Sequence, residues 1–288
     1  MRRLRDLLDM IKFEHTIFAL PFALLSLCLA ADGWPTLHDF VWILVAMVGA
    51  RSSAMMMNRI ADRHIDAANP RTATRHLPAG RVRLRSAWLF TLAAAALLVL
   101  AAWKLDPLAL RLAPVALGFV WAYSWTKRFT WLSHVWLGLG LALAPLGAWI
   151  AVRGRLDWLP VWLGIGVAFW VAGFDTIYAC QDARFDREQG LQSLPSRYGL
   201  RGALAVARLF HALMLGVFAA VGVVYGFGWL YAAGIVIVAA LVLVQHAIVA
   251  RDMRRGDLRH IDVAFFNVNS IVGVLLMAFA LADRFLLR

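Results

Sequence analysis

Charge is scarce in this chain, and so is cysteine. Of 288 residues only 16% are charged while 62% are hydrophobic, and the mean hydropathy is +0.71. A soluble domain carries about a quarter charged residues and about half apolar ones, so a water-soluble globule is excluded and an integral membrane protein is expected. The two cysteines, Cys28 and Cys180, fall in different hydrophobic runs, near opposite faces of a bilayer in the topology below, which excludes a disulfide and a thiolate metal site. No His/Cys metal spacing, Gly-x-Ser-x-Gly elbow, Walker loop or dinucleotide fingerprint occurs. Linkers and low-complexity tracts are also missing, so residues 1–288 are expected to form a single domain. The first apolar run leads into Asp32-Gly33-Trp34-Pro35 without a small-x-small cleavage pattern, and is expected to stay as a membrane helix.

What is present is hydrophobic length. Reading for about 20 apolar residues per crossing gives nine spans, at 13–31, 39–57, 86–103, 107–125, 132–151, 159–180, 203–223, 227–249 and 263–283. With the N-terminus inside, 21 lysines and arginines fall on the inner side and six on the outer, while Arg51 and Arg208 lie within spans. That asymmetry predicts a cytoplasmic N-terminus and an outside C-terminus. The net charge of +12 then reads as loops facing anionic lipid, not as a nucleic-acid surface. Trp34, Trp103, Trp131 and Trp158 fall at span ends, where interfacial anchors are expected.

Two polar stripes interrupt this pattern. Asn58, Asp62 and Asp66 recur every four residues where span two ends, so on a continuous helix they would share one face over about 12 Å. Asp175, Tyr178, Asp182 and Asp186 recur at helical spacing where span six ends. Both stripes land on the cytoplasmic side, and the segments 67–85 and 183–201 leave from the same two helix ends as a polar cap. A helix emerging into water also turns polar, and the first pair of carboxylates could merely meet Arg59 and Arg63. Against that, Arg51 lies two turns deeper on nearly the same face, where a cation lines a cavity or meets an anion. Two oxygen-rich stripes facing each other suit Mg²⁺, which takes carboxylate oxygens together with substrate phosphates. Lys12, Arg51, Arg75, Lys127 and Arg128 are the candidate anion-binding residues, since Arg grips carboxylate or phosphate through parallel hydrogen bonds. Phe174 and Phe185 flank the second stripe, either as packing or beside a hydrocarbon chain. His15, His76 and His211 read as structural.

On Asn58-x-x-x-Asp62-x-x-x-Asp66, on Tyr123 to Arg128 as Tyr-x-x-x-Lys-Arg, and on Asp175-x-x-Tyr178-Ala-x-Gln-Asp182-x-x-x-Asp186, the chain resembles the UbiA superfamily of intramembrane prenyltransferases. Residues 11–16 and 193–199 look similar too. The resemblance implies nine helices around a central cavity, capped by cytoplasmic loops and open sideways to lipid. It implies that Asn58, Asp62, Asp66, Asp182 and Asp186 hold Mg²⁺ and a diphosphate, that Lys12 and Arg75 assist, and that Arg128 meets an aromatic acid's carboxylate. Two positions depart from the family pattern: Arg59 stands where many relatives have an acid, and Ser124 where Pro is common.

The implied reaction is transfer of a polyprenyl group from its allylic diphosphate to the ring of 4-hydroxybenzoate or a dihydroxynaphthoate, in ubiquinone or menaquinone biosynthesis at the inner membrane, with the site facing the cytoplasm. Asp62 and Asp182 carry the metal chemistry, Arg51 stabilises the leaving diphosphate, and Asp175 with Tyr178 positions the acceptor hydroxyl or receives its proton. Because Asn58 and Asp66 would be about 12 Å apart on an ideal helix, two Mg²⁺ ions are expected. The rival class is a transporter with an ionisable pathway, but transporters place their charges near the midplane on broken helices in matching repeats, and no such repeat is evident.

Overall fold

The computed structural model describes residues 18–255 and 268–287; Lys12 and His15 lie outside them. Among the described residues every regular element is helical: α1 (Leu20–Ala31), α2 (Leu37–Ala61), α3 (Arg63–Ala68), α4 (Leu84–Leu105), α5 (Pro107–Thr126), α6 (Ser133–Arg153), α7 (Trp158–Ala179), α8 (Ala183–Glu188), α9 (Leu194–Val224), α10 (Trp229–Arg255) and α11 (Asn269–Phe285). Seven helical stretches are long and apolar enough to cross a bilayer. The other two expected spans correspond to α1, with 12 residues, and α11, with 17, each beside residues outside the description.

Local chemistry sets the ends. Asp106 Oδ1 accepts the backbone N–H groups of Leu108 (2.7 Å) and Ala109 (3.4 Å), and Pro107 supplies a first residue that has no N–H to satisfy, so α5 starts there. Thr36 caps α2 through Asp39 N–H at 3.0 Å, and Ser193 with Ser196 forms a reciprocal box that opens α9. Helix α9 begins nine residues before the expected span at 203, and its chain bends at Gly199, whose φ of 69° favours a residue without Cβ.

Around the bundle, α2 packs on α4, α4 on α5, α5 on α6, α6 on α7, α7 on α9, α9 on α10, α10 on α11 and α11 on α1, while α1 also lies against α6. The run Trp158–Glu188 is the centre: 78% of its most apolar stretch is buried, against 17–39% in the other six. Trp170 on α7 meets Phe22 of α1 at 5.3 Å between ring centroids, and Phe22 stacks on Phe218 of α9 at 5.9 Å. Lipid tails are as apolar as leucine, so helices in a bilayer associate through close packing. Gly49 shows how: a Cβ there would come within 2.7 Å of the Leu98 backbone nitrogen on α4. Large apolar side chains face outward, Val115, Val236 and Leu243 among them, as a lipid-facing surface requires. Trp34, Trp103 and Trp158 are exposed at helix ends as expected of anchors, whereas Trp131 packs edge-on against Tyr198.

Candidate active site

Both acid-rich segments break their helices at the middle aspartate. Helix α2 ends at Ala61, Asp62 takes φ −94° and ψ 7°, and Asp66 sits in the separate short helix α3. Helix α7 ends at Ala179, a 3-10 turn covers Cys180–Asp182, and Asp182 takes φ −98° and ψ 2° before α8. The expected straight stripes are therefore corrected to two bent ones. Aspartate favours its own backbone contacts over a helix interior, and short 3-10 pieces are how chains make such bends. The bend keeps the chain bonded, with Asp62 N–H on Asn58 O at 2.9 Å and Asp66 N–H on Asp62 O at 2.7 Å.

The two motifs face each other, and basic residues bridge them. Adjacent residues after α5 reach one acid from each: Lys127 Nζ lies 3.6 Å from Asp186 Oδ2, and Arg128 Nη2 lies 3.3 Å from Asp62 Oδ1 while donating to Ala61 O at 2.7 Å. From the segment after α3, Asn69 Nδ2 donates to Asp182 Oδ1 at 3.1 Å, and Arg71 grips both oxygens of Asp182, Nε to Oδ1 at 2.9 Å and Nη2 to Oδ2. Arg75 Nη1 meets Asp66 Oδ1 at 2.7 Å, with Arg59 Nη1 at 4.0 Å from Asp66 Oδ2. Asn58 Nδ2 donates to Asp62 Oδ2 at 2.9 Å.

Below this polar mouth lies a cavity of about 680 Å³. Asn58, Asp62, Asp66, Asp175, Tyr178, Asp182, Asp186, Arg51, Arg75, Lys127 and Arg128 all line it, so every described site residue expected from the sequence is brought to one place. Its apolar wall extends to Ile43 on α2, about 28 Å along the helix from Asp62, to Leu105 at the end of α4 and to Leu156 in the connection between α6 and α7. On the α5 side the wall is thin, since Leu112 and Val115 line the cavity and are also surface-exposed.

Burial, together with the charge of Asp66, raises the pKa of Asp62, against the pull of its hydrogen bond from Arg128. Burial acts against the charge on Lys127, but Asp186, Asp175 and their neighbours outweigh it and hold the ammonium above its ordinary pKa. Arg71 behaves likewise, its desolvation exceeded by Asp182 and Tyr178. The donor set fits a hard cation: Asp66 Oδ2 and Asp186 Oδ2 are buried oxygens without a hydrogen-bond partner among the described residues. Among those residues no three carboxylate, imidazole or thiol groups form a closed metal cage.

Several pairings were not legible in the sequence. Asp175 and Tyr178 do not partner each other: Asp175 Oδ2 is held by His134 Nδ1 at 2.6 Å, and Tyr178 OH accepts from Arg71 Nη1 at 3.2 Å. Arg71, Asn69 and His134 carry no motif, and Arg71 is one of seven arginines between residues 59 and 85. Arg51 lines the cavity, two turns deeper than Asn58, and its buried Nε has no hydrogen-bond partner among the described residues. Of the two departures, Arg59 turns inward toward Asp66, and Ser124 is buried in the cavity wall. His211 is structural as expected, hydrogen-bonded to His246 at 2.8 Å in the core.

A helical bundle of membrane-crossing length thus carries two acid-rich turns over a deep apolar cavity. The chain belongs to the UbiA prenyltransferase family, whose model matches residues 19–271, and it is a UbiA-type prenyltransferase. It is 34% identical to a 4-hydroxybenzoate octaprenyltransferase of Aromatoleum aromaticum over 204 residues, covering 70% of this chain and 69% of that protein. It is 31% identical to one from Marinomonas sp. over 234 residues, covering 80% and 82%. The fold matches the apo structure of a UbiA homolog from Aeropyrum pernix K1 with TM-score 0.83 and 35% identity, over 94% of this chain and 98% of that one. It also matches a UbiA homolog from Archaeoglobus fulgidus bound to GPP and Mg²⁺, with TM-score 0.71 and 19% identity, over 96% and 99%. Family membership decides for the enzyme over the transporter.

Proposed function

We propose that this enzyme transfers a polyprenyl group from an allylic diphosphate to a ring carbon of an aromatic hydroxy acid, with 4-hydroxybenzoate favoured by the curated relatives over a dihydroxynaphthoate. The observation that carries the reading is the meeting of two acid-rich turns at the mouth of one apolar cavity. The diphosphate belongs at the mouth, where Arg71, Arg75, Lys127 and Arg128 can exchange their aspartate partners for phosphate oxygens. Asn58, Asp62, Asp66, Asp182 and Asp186 would hold Mg²⁺, and their division between two bent motifs favours two ions. Bound magnesium supplies Lewis-acid neutralisation of the leaving diphosphate. The tail occupies the apolar depth, beyond the reach of water.

The acceptor sits deeper. Arg51 lies seven residues before Asn58 on α2, and Asp175 seven before Asp182 on the α7 side, so each is about 10 Å further in than its motif. Arg128 is engaged at the mouth, whereas Arg51 lines the cavity and its buried Nε has no hydrogen-bond partner among the described residues. We therefore assign the acceptor carboxylate to Arg51 in place of Arg128, and the hydroxyl side of the ring to Asp175. The nine-span topology, with the N-terminus and the site on the cytoplasmic face of the inner membrane, is part of this proposal and rests on the lysine and arginine asymmetry.

Membranes containing the enzyme, incubated with Mg²⁺, geranyl, farnesyl or longer prenyl diphosphates and a panel of hydroxybenzoates and dihydroxynaphthoates, should yield an acid heavier by one prenyl group less one hydrogen. No prenylated acid across the panel would overturn the reading. Arg51→Ala should raise the acceptor KM at least about tenfold, the size of a lost charged hydrogen bond, while Arg128→Ala raises the donor KM. The opposite pattern would return the carboxylate to Arg128.

A further inference from the structure

His134 is a buried, titratable side chain that the reading above leaves unused. It is 0% exposed, sits in the first turn of α6, and is not among the residues lining the cavity. Its two ring nitrogens have separate partners: Nδ1 lies 2.6 Å from Asp175 Oδ2, and Nε2 accepts the backbone N–H of Leu194 at 3.4 Å. An N–H can donate only to a nitrogen with a free lone pair, so the imidazole proton is on Nδ1 and is aimed at the carboxylate. Leu194 opens α9, and its N–H is one of the first-turn donors that a helix leaves unsatisfied. The ring is thus clamped between α7 and the start of α9, with one tautomer selected.

We propose that His134 is a positioning residue that fixes Asp175 so that its second oxygen, Oδ1, takes the ring proton released on alkylation. This rests on the prenyl-transfer reading. As the allylic C–O bond breaks, its electron pair leaves with the diphosphate, and a ring carbon beside the phenolic carbon forms the new C–C bond. The hydrogen on that carbon then passes as a proton to Asp175 Oδ1, and its bonding electrons restore the aromatic ring. Throughout, His134 keeps its proton on Nδ1 and holds Oδ2 by that hydrogen bond. A carboxylate free to rotate would offer its lone pairs to Lys127 or Tyr178 as readily as to the ring.

The test compares His134→Leu, which removes the donor, with His134→Asn, whose amide nitrogen falls near the Nδ1 position. With acceptor deuterated beside the hydroxyl, wild type should show little isotope effect, because breaking the allylic C–O bond sets the rate. His134→Leu should lose about tenfold to a hundredfold in kcat with donor KM unchanged, and a ring-deuterium isotope effect should appear because proton removal has become slow. His134→Asn should recover most of kcat and lose the isotope effect. Equal losses in both variants without an isotope effect, or full activity in both, would overturn the role. If His134→Leu does not fold, His134→Ala takes its place with the same outcomes: a lowered kcat with a ring-deuterium isotope effect supports the role, and a loss without one, or full activity, overturns it. Wild type that prenylates no acid would instead defeat the underlying reading.

Discussion

Asp182 has both oxygens engaged by Arg71 and a third contact from Asn69, and each of Asp62, Asp66 and Asp186 has a cation within 4 Å. Four negative charges beside an apolar cavity would repel one another, and the basic side chains remove that repulsion. Neutralising one acid should therefore spare the fold and remove the chemistry. Asp182→Asn and Asp62→Asn are each expected to lose at least about a hundredfold in kcat, the scale of losing one electrostatic contact to a developing charge, with melting in detergent nearly unchanged. Radiolabelled donor and a thermal shift assay measure both, and near-normal turnover in the two variants would remove the metal assignment. The acids themselves were legible because carboxylates every four residues beside a membrane span have few bland explanations. Arg71 was not, since nothing in a row of basic residues says which one folds back onto a carboxylate 111 positions away.

At the level of elements, the bend at each middle aspartate brings the flanking side chains of a motif around one mouth in place of a straight ridge. The starts of α2, α5 and α9 are capped by side chains next to them in sequence, whereas α10 relies on its neighbour α11. Asp283 of α11, 2% exposed, accepts the backbone N–H groups of Gly228 (2.6 Å), Leu230 and Tyr231 (both 3.2 Å), so α10 is capped by a different helix. Asp283→Ala would leave three donors without that partner, with an expected loss of about 2–3 kcal/mol. Detergent-solubilised protein should melt several degrees lower, and an unchanged melting temperature would show that water replaces the carboxylate. The cap at Asp106-Pro107 could be read from neighbours in sequence, whereas that of α10 could not, because its acceptor is 53 residues from Leu230.

For the whole molecule, small residues line much of the cavity, Ala46, Ala50, Ala109, Gly140 and Gly147 among them, and leave it room to extend below the acidic mouth. Gly147 on α6 marks its depth: it lines the cavity, and a Cβ there would meet nothing within 4 Å. A phenylalanine at that position can project into the empty channel without displacing packed atoms. Gly147→Phe should keep turnover with geranyl diphosphate and lose at least about tenfold with a long polyprenyl diphosphate, a contrast that paired kinetics would read directly. Equal rates with both donors would place the tail outside the protein above that depth.

Composition and hydrophobic length were enough to determine a helical membrane protein, and two four-residue rhythms of acid were enough to mark the mouth of its cavity, because bilayer thickness and helix pitch turn those patterns into geometry. Pairing across the bundle was left to the tertiary structure: Arg71 on Asp182, Lys127 and Arg128 divided between the motifs, and His134 behind Asp175. Such contacts join residues tens to more than a hundred positions apart, and only the packing of α2, α6 and α7 around one cavity brings them within a few ångströms.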